Sequence, residues 1–196
     1  MTQATEQLLE AYLESTDIID WKHPAVLQLA QELGTGTTLE IAQRCFEWVR
    51  DEVRHSNDYK LNPVTCSASE VLAARTGYCY AKSHLLAALL RANGIPAGFC
   101  YQRLTLDDSG LTFCLHGLNG IYLPDFGWYR VDARGNKPGV NAQFVPPVEQ
   151  LAFSVGVDGE IDFAGVRAEP RPEVIKALRT YHTYDAVAEH LPDSLT

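Results

Sequence analysis

One cysteine of the chain lies where a thiol can act as a nucleophile. Cys79 follows Gly77-Tyr78 and opens the run CYAKSHLLAALLRA, whose leucines recur at a helical spacing. The amino end of a helix carries a partial positive charge and free N–H groups, which stabilise a thiolate and can bind an oxyanion. Gly77 permits a close approach of the backbone just before the thiol. Most free cysteines are buried and structural, so position alone does not separate a core thiol from a nucleophile.

A thiol nucleophile needs a base, and the base needs an acceptor that orients it. Of the six histidines, His116 alone falls inside a predicted strand, FCLHGLNGIYLP, and Asp132 lies in the next one, GWYRVD. A hairpin would bring these side chains to nearly opposite positions, whereas a slip of one residue would place them on different faces. Taken singly, His116 also fits a core histidine, and Asp132 also fits a residue that ends a strand.

The other histidines have simpler explanations. His84 lies five residues after Cys79 on the same predicted helix, about 140° around its axis, so it faces away from the thiol. The remaining four are expected in solvated positions, at helix ends or in a polar segment late in the chain: His23, His55, His182 and His190.

Composition restricts the class of protein. A net charge of −9 without a basic run argues against a nucleic-acid or anionic-membrane partner. The first residues lack the regions of a signal peptide, and no apolar stretch is long enough to span a bilayer. Five irregularly spaced cysteines without a CxxC pair argue against a disulfide framework and a structural zinc site. We therefore expect a cytoplasmic protein, with Cys45, Cys100 and Cys114 buried and Cys79 the most reactive thiol.

Hydrophobic spacing predicts helices first and strands afterwards. Helices are predicted over residues 5–15, 24–33, 37–56, 67–76, 79–92 and 171–190. Strands are predicted over residues 97–106, 111–123, 127–133, 151–157 and 160–166, with a turn at 107–110. This order is typical of an α+β fold with an antiparallel sheet. We predict a single domain, residues 1–196, with a core at about 38–136, a helical part at 1–37 and a mixed extension at 140–196.

Two stretches together resemble the core of the transglutaminase-like superfamily. The first is ASEVLAARTGYCYAKSHLLAALLRANGIPAGFCY, and the second is LHGLNGIYLPDFGWYRVDARG. The resemblance covers about residues 38–136. It implies a papain-like fold in which N-terminal helices pack on an antiparallel sheet. It also implies that Cys79 is the nucleophile, His116 the base and Asp132 the residue that orients the base, with no cofactor and no metal.

The chain departs from the family pattern at three places. Gly117-Leu118-Asn119 follows His116 where the family usually has Ala-Trp, and Ala133-Arg134 follows Asp132 where Pro-Thr is frequent. Tyr80 follows the cysteine where many members carry a small or acidic residue. All three triad residues are present, so the departures concern the substrate class more than the chemistry.

The predicted activity is thiol-dependent acyl transfer from an amide of a peptide or protein. The thioester would pass to water in a peptidase or amidase, or to an amine in a transglutaminase, and no sequence feature separates these acceptors. One alternative is a catalytically silent module that binds a peptide or partner. A further alternative is an arylamine N-acetyltransferase-like enzyme, although no basic patch for the acyl-carrier phosphates stands out.

Four aromatic residues near the predicted site are candidates for an acyl-binding groove: Tyr78, Tyr80, Tyr101 and Trp128. If residues 107–110 form the hairpin turn, Tyr101 falls about opposite His116. Packing in the core is the alternative explanation for these rings.

Overall fold

The computed structural model describes residues 9–106 and 112–195. The helices are α1 (Pro24–Leu33), α2 (Thr38–Glu52), α3 (Ser56–Tyr59), α4 (Ala68–Ala74), α5 (Cys79–Ala92), α6 (Pro172–Thr180) and α7 (Tyr184–Glu189). The strands are β1 (Arg54–His55), β2 (Thr76–Gly77), β3 (Ala97–Thr105), β4 (Phe113–Leu123), β5 (Gly127–Val131), β6 (Gln143–Val145), β7 (Val148–Gln150) and β8 (Ile161–Asp162). One 3-10 turn, Glu10–Tyr12, precedes α1.

Local signals fix where the helices of the first half begin. Pro24 occupies the first turn of α1, where its missing N–H costs nothing. Thr37 and Glu40 form a capping box at α2, and Ser67 and Glu70 form the same motif at α4. Each pair satisfies N–H groups that the helix itself leaves free. Four of the five helices predicted in this half are therefore confirmed, although α2 ends at Glu52 and the chain then forms β1 and α3.

Helix α5 lies at the centre of the molecule. Its residues from Cys79 to Arg91 are all buried, because α1, α2, α4 and the strands β3 and β4 contact it. The four-stranded sheet has the order β5-β4-β3-β8, and all neighbours are antiparallel. Helices packed on an antiparallel sheet confirm the predicted α+β fold. The beginning of α5 is thereby held against the sheet that carries the histidine.

The register of the sheet differs by one residue from the expectation. Gln102 lies opposite His116, and Tyr101 lies opposite Gly117. The expectation that Tyr101 lies opposite His116 depends on a turn at 107–110, and these residues lie outside the described part of the chain.

Two predicted elements are wrong in the described part of the chain. Residues 151–157 are not a strand, because the Ala152 N–H donates to the side chain of Asp132 instead of a neighbouring strand. Of the helix predicted over 5–15, residues 5–8 lie outside the described residues and Leu9 is helical, but Glu10–Tyr12 is a 3-10 turn and residues 13–15 are not helical. There the Tyr12 hydroxyl donates to the Val166 carbonyl, so this stretch packs as an irregular segment.

The later part of the chain also differs in detail. Of the strand predicted over 160–166, only β8 forms, and the hairpin of β6 and β7 was not predicted. The helical segment predicted over 171–190 is confirmed as two helices, α6 and α7. Among the helices that the structure describes, none is both long and apolar enough to cross a bilayer.

Candidate active site

Cys79 is the first residue of α5, as predicted. Tyr78 is the N-cap residue, and no side chain caps this end of the helix. The first intrahelical bond is donated by the Lys82 N–H to the Tyr78 carbonyl, so the Cys79 N–H is left for an external acceptor. The short strand β2 leads into the helix and pairs in parallel with β1, which places His55 beside Gly77. Cys79 is buried but lines a cavity.

The predicted base and acceptor are hydrogen-bonded to each other. His116 Nε2 lies 2.7 Å from Asp132 Oδ2. Asp132 follows directly on β5, whose Val131 pairs with Asn119 of β4. Continuing that register places Asp132 opposite Leu118, two residues from His116 and on the same face, because side chains alternate along a strand. The pair is therefore diagonal across the hairpin.

Asp132 is held as an anion in a fully buried position. The backbone N–H groups of Arg134 and Ala152 donate to its two oxygens at 3.1 and 3.2 Å. Burial by itself raises the pKa of a carboxyl group. The charge of His116, its hydrogen bond and the two backbone donors outweigh burial and hold the pKa of Asp132 below its ordinary value.

His116 connects this carboxylate to the thiol. Since Nε2 is bonded to Asp132, the other ring nitrogen is left for Cys79, whose thiol lines the same cavity as the imidazole. Burial by itself lowers the pKa of His116, but the charges of Asp132 and Cys79 and the hydrogen bond to Asp132 raise it to about 10. The ring of Phe153 packs edge-on against the imidazole at 5.0 Å. The arrangement favours an imidazolium beside the sulfur.

The thiol and the imidazole face a common cavity of about 560 Å³. Apolar side chains form much of its wall: Leu104, Leu106, Leu115, Phe153 and Leu191. Polar groups line it as well: His55, Asn57, Thr105, Arg134, Ser154 and Glu160. A cavity of this kind and size is suited to a side chain and the backbone of a substrate.

The four aromatic candidates do not act together. Tyr78 and Tyr80 line the cavity, whereas Tyr101 and Trp128 do not. The Tyr101 hydroxyl accepts the Arg171 N–H at 3.0 Å. Trp128 lies on β5, packed against the rings of Tyr12 and Tyr122. The structure thus corrects the predicted groove to Tyr78 and Tyr80.

Both tyrosines of the cavity also have their hydroxyls bound within the protein. Tyr78 donates to the carbonyl of Tyr184, and Tyr80 donates to the carbonyl of Leu115. Tyr80 thereby occupies a backbone acceptor of β4 next to His116. Because the Tyr80 hydroxyl already donates to a backbone carbonyl, only its ring is available for contact with a substrate.

Sequence reasoning missed the residues that surround the triad. His55, expected to be solvated, is 7 % exposed and lines the cavity. Its placement depends on the two-residue strand β1, which carries no clear sequence signal. Arg134 forms a bidentate pair with Asp58 at 2.7 and 3.0 Å, which ties the end of β5 to α3. Phe153 lay in a segment wrongly predicted as a strand, although its apolar neighbours did indicate burial.

His84 takes no part in the site, as predicted. It is fully buried, and its Nδ1 lies 2.7 Å from the Cys66 carbonyl. Its ring contacts Phe99 edge-on. It is a core residue, so its replacement would disturb packing.

Comparisons with solved structures agree with this fold. The chain aligns with a protein from Cytophaga hutchinsonii described as a candidate cysteine protease, with 18% identity and a TM-score of 0.53, over 68% of this chain and 45% of that chain. It also aligns with the periplasmic domain of TgpA from Pseudomonas aeruginosa, with 22% identity and a TM-score of 0.50, over 65% and 47% of the two chains. The chain therefore spans less than half the length of either structure, and the likeness concerns the fold.

The sequence itself shows the family. A search among curated protein sequences gave no match. The profile of the transglutaminase-like superfamily matches residues 27–133, a stretch that contains Cys79, His116 and Asp132. Because this stretch covers more than half of the chain, the chain belongs to the transglutaminase-like superfamily.

Proposed function

We propose that this protein is a cysteine-dependent acyl-transfer enzyme that acts on the amide bonds of peptides or proteins. The observation that carries the proposal is the buried His116–Asp132 hydrogen bond beside Cys79, with the thiol and the imidazole on the wall of one cavity. A core histidine would need neither a buried carboxylate on one nitrogen nor a thiol on the other.

The first half of the reaction is acylation. The Cys79 thiolate attacks the carbonyl carbon of the bound amide, and the C–S bond forms as the carbonyl π electrons move to oxygen. The Cys79 N–H at the uncapped end of α5 is positioned to stabilise the oxyanion. The His116 imidazolium then gives its proton to the leaving nitrogen as the C–N bond breaks, which leaves a thioester and a neutral imidazole.

The second half releases the acyl group. Neutral His116 takes a proton from water or from an amine, which attacks the thioester, and the thiolate leaves. Asp132 holds the imidazole in one orientation and stabilises its charged form through both halves. Hydrolysis and transfer to an amine use the same residues and differ only in the acceptor.

The intact chain of three side chains favours an enzyme over a silent binding module. The arylamine N-acetyltransferase-like alternative would use the same kind of triad, and no specific observation favours it. We propose a reducing, cytoplasmic location, which is supported by the five free cysteines.

The test is the Cys79→Ala variant, assayed by mass spectrometry on a peptide mixture with and without a small primary amine. The variant should keep its fold and lose all turnover, while His23→Ala, an exposed histidine outside the site, should keep full activity. New termini in the wild-type reactions indicate hydrolysis, and amine adducts indicate transfer. Full activity of Cys79→Ala would disprove the proposal.

A further inference from the structure

One segment of the chain runs along the edge of the cavity beside the triad. Residues 184–195 consist of α7 followed by an extended stretch, and we call them the strap. At one end, the Tyr184 N–H donates to Asn62 Oδ1 at 2.8 Å, and the Tyr184 carbonyl accepts the Tyr78 hydroxyl. Tyr78 immediately precedes the nucleophile. The strap therefore starts from the rim next to Cys79.

The other end of the strap is bound to the sheet. Asp193 forms a bidentate pair with Arg103 of β3, at 2.6 and 2.7 Å. The Leu115 N–H of β4 donates to the Pro192 carbonyl at 2.7 Å. Leu191, the preceding residue, lines the cavity. The strap thus has one anchor on each side of the cavity and an apolar side chain between them.

The strap takes one backbone donor of a strand edge, the Leu115 N–H, and the Leu115 carbonyl is already bound by Tyr80. Pairing of β4 with β5 covers residues 119–123 only, so in the described structure no strand lies beside Leu115 on that side. Leu115 comes directly before His116. An extended peptide that paired with this edge would pass the base, and edge pairing is a general way of binding peptides.

We propose that the strap is an autoinhibitory segment that occupies the binding groove for peptide substrates. Its extended part, residues 190–195, must leave before a peptide can pair with β4 at Leu115, while α7 stays in place through the buried Val187. The peptide that replaces it carries an apolar residue in the place of Leu191 and an acidic residue two positions later, where Arg103 binds it. This inference rests on the proposed function, since it names the substrate of the same triad.

The anchor is weak enough to be released. Asp193 is partly exposed, with 39% of its side chain accessible, so water competes with Arg103 for its carboxylate and limits what the pair contributes to about 1 kcal/mol, the equivalent of about a fivefold change. Arg103 is fixed independently, by a bond to the Gly159 carbonyl at 2.6 Å and by stacking over Phe113. Arg103 therefore stays in place for an acidic substrate after Asp193 departs.

Asp193→Ala tests the strap without requiring turnover. Two quantities are measured: the rate of Cys79 alkylation by iodoacetamide, mapped by peptide mass, and hydrogen exchange at the Leu115 amide. Both should rise, the alkylation by about fivefold, as expected for the loss of one partly exposed ion pair. The control is Asp51→Ala, which removes a similar bidentate pair with Arg50 away from this cavity and should change neither quantity.

A second arm tests the substrate class. The synthetic peptide HLPDSL, equivalent to residues 190–195, is added to Asp193→Ala and should slow Cys79 alkylation again. The same peptide with alanine in place of its aspartate should not. Unchanged alkylation and exchange in Asp193→Ala, an equal rise in Asp51→Ala, or no protection by the peptide would each overturn the proposal. Loss of turnover plays no part in these readouts, so failure of the proposed function is seen separately in Cys79→Ala.

Discussion

The ring of Tyr80 lies so close to Gly117 that a Cβ atom at Gly117 would be only 2.9 Å from Tyr80 Cδ1 and 3.4 Å from its Cα. Tyr80 and Gly117 are both departures from the family pattern, and in this chain they are in contact. With Tyr80 in this position, a side chain at residue 117 does not fit.

Gly117→Ala should therefore destabilise the fold and displace Tyr80 from the start of α5. Overpacking of a tight core contact costs about 1–3 kcal/mol of the free energy of unfolding. We expect a lower denaturant midpoint and slower alkylation or turnover at Cys79. The matched control is Gly156→Ala, because a Cβ there would meet nothing within 4 Å. Equal stability of the two variants would contradict the packing argument.

Asp132→Asn should lower the rate and move its alkaline limit. The imidazolium must protonate the leaving group, and the charge of Asp132 helps to hold the pKa of His116 near 10. Without that charge, His116 loses its proton at lower pH, so the alkaline limb of kcat/KM shifts toward neutrality. The rate at pH 7 should fall by at least about a hundredfold, and His116→Ala should lose more. An unshifted alkaline limb would show that another group sets it.

The five thiols should differ in reactivity toward sub-stoichiometric iodoacetamide. Burial raises the pKa of the other four thiols, to about 12 for Cys45, Cys100 and Cys114 and to about 11 for Cys66. Cys79 should be labelled first at neutral pH, because it lines the cavity beside His116 at the uncapped end of α5. Cys114 should follow, since it is only partly buried and lines the same cavity. Peptide mass mapping reads the order, and first labelling of Cys45 or Cys100 would contradict it.

Lys82, one turn after Cys79, should give the stability a distinct pH dependence. Its ammonium group is buried and donates to the carbonyls of Arg50 and Val53. Burial lowers the pKa of Lys82 to about 7 although the charge of Asp132 opposes this, whereas the ordinary value is 10.5. Between these pH values the unfolded chain binds more protons, so the free energy of unfolding rises with pH, by up to about 1.4 kcal/mol per pH unit.

The comparison that isolates this effect is wild type against Lys82→Met. His116, whose pKa is raised, acts in the opposite direction between about 6.5 and 10, but it does so in both proteins. Their difference in free energy of unfolding, measured by urea titration, should therefore increase from pH 7 to pH 10. A difference that stays constant with pH would mean that Lys82 has the same pKa in the folded and unfolded states.

The parts of the site that sequence could predict are those fixed by local rules. The start of α5 at Cys79 follows from apolar spacing, and His116 and Asp132 lie on consecutive strands joined by a short turn. Whether they meet depends on register, which the sequence does not define. Here Asp132 lies just beyond β5 and pairs diagonally.

The remaining parts depend on contacts between distant segments. His55 reaches the cavity through a two-residue parallel pairing with Gly77, too short to leave a periodic signal. Phe153 covers His116 from an irregular segment whose alternating apolar residues are typical of a strand. Tertiary packing, more than local propensity, decides both positions.

The backbone groups that donate to Asp132 lie beyond the stretch that matches the family profile, so the functional site needs more of the chain than that stretch. The profile match ends at residue 133, yet Arg134 and Ala152 supply the two N–H groups on the carboxylate, and Phe153 covers the imidazole. A fragment ending at residue 133 would contain every triad residue. Its Asp132 would keep the hydrogen bond to His116 but lose both backbone donors, the N–H groups of Arg134 and Ala152. Its carboxyl group would gain proton affinity, and water would reach the His116 ring. Truncation at the boundary suggested by similarity would thus separate the residues of the triad from the groups that hold their charges.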